Sequence, residues 1–380
     1  VKLWNRDGTL RKTIQGHRDT VREVRFNSDG DILASATDDR TVKLWRLKDI
    51  PLTILNHDSD KVYAVSFNPD GETIATTRGQ GSVAFWDKHG MSLGTQKWQY
   101  GPITALEFSP DGTLIVSAAG DRTVRLSRAD GSGIKFLQGY TGEITQKEVL
   151  AVSFSPDSQI FATGNNQGEI EIWNRDGTLK QNFLGHKDSF VRGLSFSPDG
   201  QILASASWDG TVKLWNRDGS LKETIQAPGG GLFGVAFSPD KEPGQQIIAA
   251  ATQDGTVKLW DRDGTELQTI KAHETAVSAV VFSPDGQLIA TTSGDKKVKL
   301  WNRDGTLYKT FSGHDDRVKT LAFSPDGKRL ASASLDGTVN VWNVDLDLDI
   351  EGLRNYSCIW IGDYLKNNSK LNDRDKKLCD

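Results

Sequence analysis

Residues 191–226 read VRGLSFSPDGQILASASWDGTVKLWNRDGSLKETIQ, and this stretch contains all the elements of one structural repeat. Its apolar runs VRGLSF, QILASAS and TVKLW are separated by SPDG and DG, and NRDG precedes a fourth run. Asp and Asn side chains bond to nearby backbone groups and Gly accepts a positive φ, so these sequences close tight antiparallel turns. The stretch therefore predicts four short antiparallel strands and no helix.

The same pattern recurs along the whole chain. The tryptophan that ends the third strand returns at intervals of 41 to 46 residues, with Ser127 in one of its places. This period is typical of a propeller blade made of four strands. The chain contains eight full repeats after a fragment of a ninth, and repeats one to eight have at the end of their first strand Phe26, Phe67, Phe108, Phe154, Phe196, Phe237, Phe282 and Phe323.

Composition excludes several classes of protein. The 380 residues include 46 basic and 50 acidic side chains, so a net charge of −4 indicates neither a nucleic-acid nor a membrane partner. No apolar run approaches the ~20 residues that cross a bilayer. The two cysteines, Cys358 and Cys379, both lie near the end of the chain, which is typical of a reducing, cytoplasmic compartment. Because the chain begins at Val1 without a methionine, we expect a fragment of a longer protein.

Three features of the repeat carry a family resemblance: Val-Lys-Leu-Trp-Asn/Asp, Gly-His before the first strand, and Asp just after the second strand. Over residues 1–343 the chain resembles the WD-repeat β-propeller family. In that family the outermost strand of a blade precedes its own repeat, which implies that residues 9–14 complete the sheet begun by residues 318–342. We therefore expect an all-β, eight-bladed propeller over residues 1–344, since a leftover repeat would expose apolar faces. A seven-bladed ring with one spare repeat is the alternative.

Ser, His and Asp recur in several repeats, and these residue types also form hydrolase triads. The resemblance implies a different role, because in the family a His, a Ser or Thr, an Asp and the Trp form a buried hydrogen-bonded tetrad. A catalytic site would not occur four times. The complete sets are His17, Ser35, Asp39 and Trp45; His186, Ser205, Asp209 and Trp215; His273, Thr291, Asp295 and Trp301; and His314, Ser332, Asp336 and Trp342.

No other motif indicates catalysis. The histidines are spread one per repeat rather than gathered as metal ligands, and no phosphate-binding loop occurs. We therefore predict no cofactor, no metal and no enzymatic activity. An enzyme that uses the central channel is a remote alternative.

The loops before the first strand and between the second and third strands vary between repeats, and we call the face that carries them the variable face. Similar propellers bind partners there through three side chains per blade. The corresponding residues are Phe190, Arg192 and Trp208 in repeat five, Phe233 in repeat six, Arg317, Lys319 and Leu335 in repeat eight, and Arg22 and Tyr63 in repeats one and two. Aromatic and Arg side chains are frequent anchors of protein interfaces. The repeat does not account for Trp208, which either binds a partner or lies flat on a neighbouring loop.

Residues 345–380 leave the repeat pattern, and Leu353, Tyr356, Trp360 and Tyr364 follow at helical spacing. We expect a tail of short helices. This segment resembles the C-terminal tail of large cyanobacterial WD-repeat proteins in which a propeller follows a NACHT-type nucleotide-binding switch. The resemblance implies a recognition module of a larger bacterial signalling or defence protein, whose partners are a protein or peptide and upstream domains of its own chain. The alternative is an autoinhibitory or oligomerisation scaffold for those domains.

Overall fold

The computed structural model describes residues 61–344 apart from 79, 89, 134 and 138–147, together with the strand backbones between residues 2 and 56 and the Leu55 side chain. The chain divides into two compact units, a larger one of residues 2–16 and 51–342 and a smaller one of residues 1, 17–50 and 343–380. The larger unit begins with an antiparallel pair, β1 (Lys2–Trp4) and β2 (Leu10–Thr13). The smaller unit contains a three-stranded antiparallel sheet of β3 (Val21–Phe26), β4 (Ile32–Thr37) and β5 (Val42–Arg46).

The rest of the larger unit consists of seven four-stranded antiparallel sheets, which we call blades A to G. Blade A contains β7 (Val65–Phe67), β8 (Thr73–Arg78), β9 (Ser82–Asp87) and β10 (Ser92–Lys97). Blade B contains β11 (Ile103–Phe108), β12 (Leu114–Ala119), β13 (Val124–Arg128) and β14 (Lys135–Phe136). Blade C contains β15 (Val149–Phe154), β16 (Ile160–Asn165), β17 (Glu169–Asn174) and β18 (Leu179–Leu184).

Blade D contains β19 (Val191–Phe196), β20 (Ile202–Ser207), β21 (Thr211–Asn216) and β22 (Leu221–Gln226). Blade E contains β23 (Leu232–Phe237), β24 (Ile247–Thr252), β25 (Thr256–Asp261) and β26 (Glu266–Lys271). Blade F contains β27 (Val277–Phe282), β28 (Leu288–Ser293), β29 (Lys297–Asn302) and β30 (Leu307–Ser312). Blade G contains β31 (Val318–Phe323), β32 (Arg329–Ser334), β33 (Thr338–Asn343) and β6 (Thr53–Asn56).

The ring closes with seven blades, so the expectation of eight blades was wrong. The inner strands contact one another in order from β7 to β31, and β31 contacts β7. The last outer strand is β6, whose Leu55 lies opposite Val339 of β33, whereas β2, within residues 9–14, pairs with β1. Leu55 is fully buried in a cluster with Val339 and with Trp86 of blade A, so pairing β6 with β33 forms the apolar core at this boundary.

The core lies between neighbouring blades. Trp260 of blade E packs with Val212 and Leu214 of blade D, and Trp301 of blade F packs in the same way on blade E. Removing such a buried indole costs about 3–5 kcal/mol, so each blade depends on the next one. The inner strands approach closely as well, since a Cβ on Gly193 would lie 2.8 Å from the Cα of Gly234. This close approach explains the small residue at that position.

The predicted helical tail, residues 345–380, lies outside the described residues. Within the described part of the chain the only helical segment is a 3-10 turn, Pro243–Gln245, in the insertion of repeat six.

Candidate functional site

Three of the side chains predicted to bind partners lie at bulges in the inner strands of the described blades. In blades D, E and G the strand register shifts across Arg192, Phe233 and Lys319, so these residues have no partner in the ladder. A bulge bends the strand and redirects the side chain of the extra residue. The equivalent shifts in blades B, C and F occur at Thr104, Leu150 and Ser278. These positions are therefore structurally equivalent around the ring.

Four of the predicted residues form one group, which we call the aromatic–arginine cluster: Phe190, Arg192, Trp208 and Phe233. The rings of Trp208 and Phe233 meet edge to face, with centroids 5.1 Å apart and planes 84° apart. The guanidinium carbon of Arg192 lies 5.3, 5.6 and 5.8 Å from the ring centroids of Phe190, Trp208 and Phe233. These distances fall within the range of cation–π attraction. One cation is thus shared among three rings from two blades.

The backbone holds Trp208 close to both blades. Its N–H donates to the carbonyl of Phe190 over 3.0 Å. A Cβ on Gly231 would lie 2.6 Å from Cδ2 of Trp208, so the indole packs on the backbone of the blade E loop. Part of the Trp208 side chain thus lies on a neighbouring loop, as the second interpretation of this residue predicts. Even so, 39% of Trp208 and 38% of Phe190 remain exposed.

Blade G places cations near this cluster. The N–H of Leu335 donates to the carbonyl of Arg317 over 3.0 Å, the same bond that joins Trp208 to Phe190. Burial lowers the pKa of Lys319, and the positive charges of Arg192 and Arg317 lower it further. Burial also lowers the pKa of Arg192, partly offset by the charge of Glu148. Arg192 and Arg317 thus lie close enough to Lys319 for their charges to act on it.

The two remaining predicted residues do not join the cluster. Tyr63 lies half-buried just ahead of β7, and its N–H donates to Oγ1 of Thr77 over 3.2 Å. Among the described side chains no ring contact connects Tyr63 to Trp208 or Phe233. Arg22 belongs to β3, and its side chain lies outside the described residues.

Three of the four tetrads lie in the described part of the chain, in blades D, F and G, and each is hydrogen-bonded throughout. The hydroxyls of Ser205, Thr291 and Ser332 are fully buried. Each bonds to Nε2 of the histidine and accepts the indole N–H, while Nδ1 of the histidine bonds to the aspartate. The hydroxyl–His, His–Asp and hydroxyl–Trp distances are 2.7, 2.8 and 2.9 Å in blade D, 2.8, 2.8 and 2.9 Å in blade F, and 2.8, 2.9 and 2.8 Å in blade G. The set His17, Ser35, Asp39 and Trp45 lies outside the described side chains.

The electrostatics of these tetrads stabilise an ionised aspartate. Burial alone would raise the pKa of Asp209, but hydrogen bonds from His186 and Thr211 outweigh it and lower the pKa to about 2. The same balance lowers the pKa of Asp336 to about 2. The carboxylate then accepts the Nδ1 proton and Nε2 accepts the hydroxyl proton. A serine that is fully buried and bonded on both sides is inaccessible to a substrate.

Blade B contains a substitute that sequence reasoning missed. Gln99 occupies the place of the tetrad histidine, since its N–H donates to Gly81 as that of His186 donates to Gly168. Its Oε1 accepts the hydroxyl of Ser117 over 2.9 Å, and its Nε2 donates to Oγ1 of Thr123 over 2.8 Å. Gln99 could have been identified from the sequence, because 18 residues separate it from Ser117, as 18 residues separate His273 from Thr291.

A second missed feature connects neighbouring blades on the face opposite the variable face. The arginine of the Asn-Arg-Asp-Gly turn pairs with the aspartate of the Ser-Pro-Asp turn in the preceding blade. The pairs are Arg175–Asp111, Arg217–Asp157, Arg262–Asp199 and Arg303–Asp240, at 2.6 to 2.7 Å. The recurrence of both turns in the sequence was the signal for this role.

The described residues contain no group of three or more His, Cys, Asp or Glu side chains placed to hold a metal ion. Burial raises the pKa of Glu107 on the inner strand of blade B to about 8, opposed by a hydrogen bond from the N–H of Phe154. No helix among the described residues has the length and apolar character of a membrane span.

Comparison with known proteins identifies the repeat. Aligned with Nuclear distribution protein PAC1 of Tuber melanosporum (strain Mel28), the chain is 43% identical over 47 residues, or 12% of this chain and 10% of that protein. With DDB1- and CUL4-associated factor 13 of Dictyostelium discoideum it is 39% identical over 59 residues, or 15% and 13%. These alignments span about a tenth of the relatives' length.

The family described as "WD domain, G-beta repeat" matches the chain eight times, over residues 8–46, 50–87, 91–126, 134–174, 177–216, 219–261, 264–302 and 305–343. The first match covers β2 to β5, and each of the other seven covers the outer strand of one blade and the three inner strands of the next. These matches cover far more than half of the chain. The chain is therefore a member of the WD40 repeat family.

Proposed function

We propose that this propeller is a non-catalytic recognition module that binds a protein or peptide on its variable face. The aromatic–arginine cluster carries the proposal, since Trp208, Phe233 and Arg192 meet within 6 Å at a surface where Phe190 and Trp208 remain more than one-third exposed. Trp and Arg are enriched among residues that dominate binding energy, and they act best when grouped. We include Arg317, Lys319 and Leu335 of blade G in the proposed surface, and Arg22 and Tyr63 are further candidates.

We also propose that the module belongs to a larger cytoplasmic bacterial signalling or defence protein whose upstream domains it serves. The resemblance of residues 345–380 to the tails of such proteins supports this assignment. A second candidate function is a scaffold that holds upstream domains in an inactive or oligomeric state. The strands β1 to β5 favour it, because they are repeat elements that the seven-bladed ring does not use.

The test is to select a displayed library of random peptides on the native chain and to measure the affinity of the enriched peptides for variants. We expect Trp208→Ala and Phe190→Ala each to weaken binding tenfold or more. Tyr308→Ala is the matched control, since Tyr308 is an aromatic residue of similar exposure, 43%, on the outer strand of blade F. Variants are compared only at equal thermal stability, because Trp208 also packs on Gly231.

Peptides that bind the native chain and Tyr308→Ala equally, and both cluster variants weakly, would support recognition at this site. Peptides that bind all four proteins equally would place recognition elsewhere. An upstream domain of the same protein that binds in place of the peptides, with the same dependence on Trp208, would favour the scaffold.

A further inference from the structure

The rim of the variable face is uneven between blades D and G. At each rim position the N–H of a residue between the second and third strands donates to a residue just before the bulge. In blades D and G these pairs have large side chains, whereas in blades E and F they are mostly small. The pairs are Trp208 with Phe190, Gln253 with Gly231, Gly294 with Ala276, and Leu335 with Arg317. We call this stretch of mostly small residues over blades E and F the rim cleft.

Side chains from both neighbouring blades extend over this cleft. On one side the indole of Trp208 covers Gly231 of blade E. On the other side Arg317 reaches towards blade F, since a Cβ on Gly294 would lie 3.8 and 3.9 Å from its Cγ and Cδ. Phe233 and Ser278, the bulge residues of blades E and F, lie between them. The rim cleft thus has an aromatic end and a cationic end.

The cations at this cleft have acidic neighbours, and Oδ1 of Asp316 accepts the backbone N–H of Arg317 over 2.7 Å. Within the described residues Arg192, Arg317 and Lys319 form no ion pair. The buried Nε of Arg192 has no hydrogen-bond partner. Glu148 is the acidic side chain whose charge acts on Arg192, and it is exposed on blade C. A buried polar atom without a partner costs free energy, so the surroundings of Arg192 within the chain do not fully satisfy its guanidinium.

We propose that the rim cleft binds an extended segment of a partner protein rich in Asp and Glu. Its carboxylates would pair with Arg192, Arg317 and Lys319, and an apolar side chain beside them would pack on Trp208 and Phe233. Arginine and carboxylate form strong charge-assisted hydrogen bonds, and complementary charge selects the partner. This inference rests on the proposed function and specifies the chemistry of the partner.

The experiment measures fluorescence anisotropy of a labelled peptide in which Glu alternates with Leu and Phe. Two counterparts have Lys or phosphoserine in place of Glu. The full chain is compared with Lys319→Glu, Arg317→Glu and Trp208→Ala. The matched control is Lys328→Glu, the same charge change in blade G at an exposed residue that directly follows the Ser-Pro-Asp-Gly turn on the opposite face.

We expect the Glu peptide to bind the native chain and Lys328→Glu alike, and to bind Lys319→Glu and Arg317→Glu at least tenfold more weakly. The Lys peptide is expected to bind Lys319→Glu better than the native chain. Equal affinity of the native chain for the Glu and Lys peptides would overturn the proposal, and so would binding of the phosphoserine peptide alone.

The two proposals fail in different ways. If Trp208→Ala weakens binding while Lys319→Glu and Arg317→Glu do not, recognition at the cluster stands and the acidic partner is wrong. If the charge reversals weaken binding and Trp208→Ala does not, the acidic ligand stands and the cluster is not its anchor.

Discussion

Arg217 of blade D donates from Nη2 to Oδ2 of Asp157 in blade C over 2.6 Å, and from Nη1 to the carbonyl of Gly200 over 3.1 Å. One guanidinium therefore joins two turns of its own blade to a turn of the preceding blade. The repeated sequence places Arg and Asp in the same turns of each unit. Residues that the sequence assigns only to turns therefore also form an ion pair between blades.

We expect Arg217→Ala to lower the free energy of unfolding by about 1 kcal/mol, and Asp157→Ala by somewhat more, because Asp157 also accepts the hydroxyl of Ser155. Their side chains are 28% and 46% exposed, so solvent screens the pair and a double-mutant cycle is expected to give a coupling of about 0.2–1 kcal/mol. Urea unfolding measures both quantities. The more exposed pair Lys222–Asp263 is the control, and a larger coupling there would contradict the role assigned to Arg217.

The tetrads predict a sensitivity to acid. The pKa of Asp336 is lowered from 3.8 to about 2 in the folded chain. A lowered pKa contributes stability above the unfolded value near pH 4, and this contribution is lost as the pH falls through about 2. For Asp336 it amounts to roughly 2 kcal/mol.

Urea unfolding between pH 6 and pH 2 tests this contribution. We expect Asp336→Asn to be less stable than the native chain at pH 6 and to lose less stability on acidification, since it lacks the titrating group. Asp263→Asn, which changes an exposed carboxylate, serves as the control. A native chain and an Asp336→Asn variant with parallel pH profiles would show that this carboxylate does not contribute.

The sequence predicted the blades well because each strand and turn is determined locally. The repeated Trp and Ser-Pro-Asp-Gly positions are sufficient to locate the strands from β7 to β33. The number of blades could not be predicted from local sequence. It depends on whether β2 or β6 pairs with β33, and both strands have the same repeat pattern. The rim cleft could not be predicted from the sequence either. It depends on small residues such as Gly231 and Gly294, whose contacts with neighbouring blades only the structure shows.

Gln99 offers a test of substitution within a blade. Gln99→Leu removes the acceptor of the Ser117 hydroxyl and leaves that buried group without its partner, so we expect a loss of about 1–3 kcal/mol. Gln99→His is expected to lose less, because an imidazole nitrogen can accept the same proton as it does in blade D. Thermal and urea unfolding measure the order. Gln226→Leu, on the exposed outer strand of blade D, is the control for replacing Gln with Leu. Equal stability of Gln99→Leu and Gln99→His would refute the assignment of Gln99 to the histidine position.

Closure of the ring by β6 is testable with engineered disulfides. In a chain with Cys358 and Cys379 replaced by Ser, we expect Ile54→Cys with Asn340→Cys to form an intramolecular disulfide, because these residues are paired in the β6–β33 register. The comparison pair is Thr13→Cys with Asn340→Cys, which would cross-link only if β2 completed blade G, because Thr13 occupies the repeat position of Thr310, the partner of Lys299 in blade F.

Mass spectrometry after mild oxidation identifies the linked cysteines, and urea unfolding reports the effect of the link. A disulfide that closes so long a loop stabilises by roughly 4 kcal/mol when it fits the native geometry. Leu55→Ala, without any disulfide, is expected to cost about 2–5 kcal/mol, because Leu55 is fully buried between blades G and A. Cross-linking through residue 13 together with an unchanged stability of Leu55→Ala would mean that eight blades close the ring in solution.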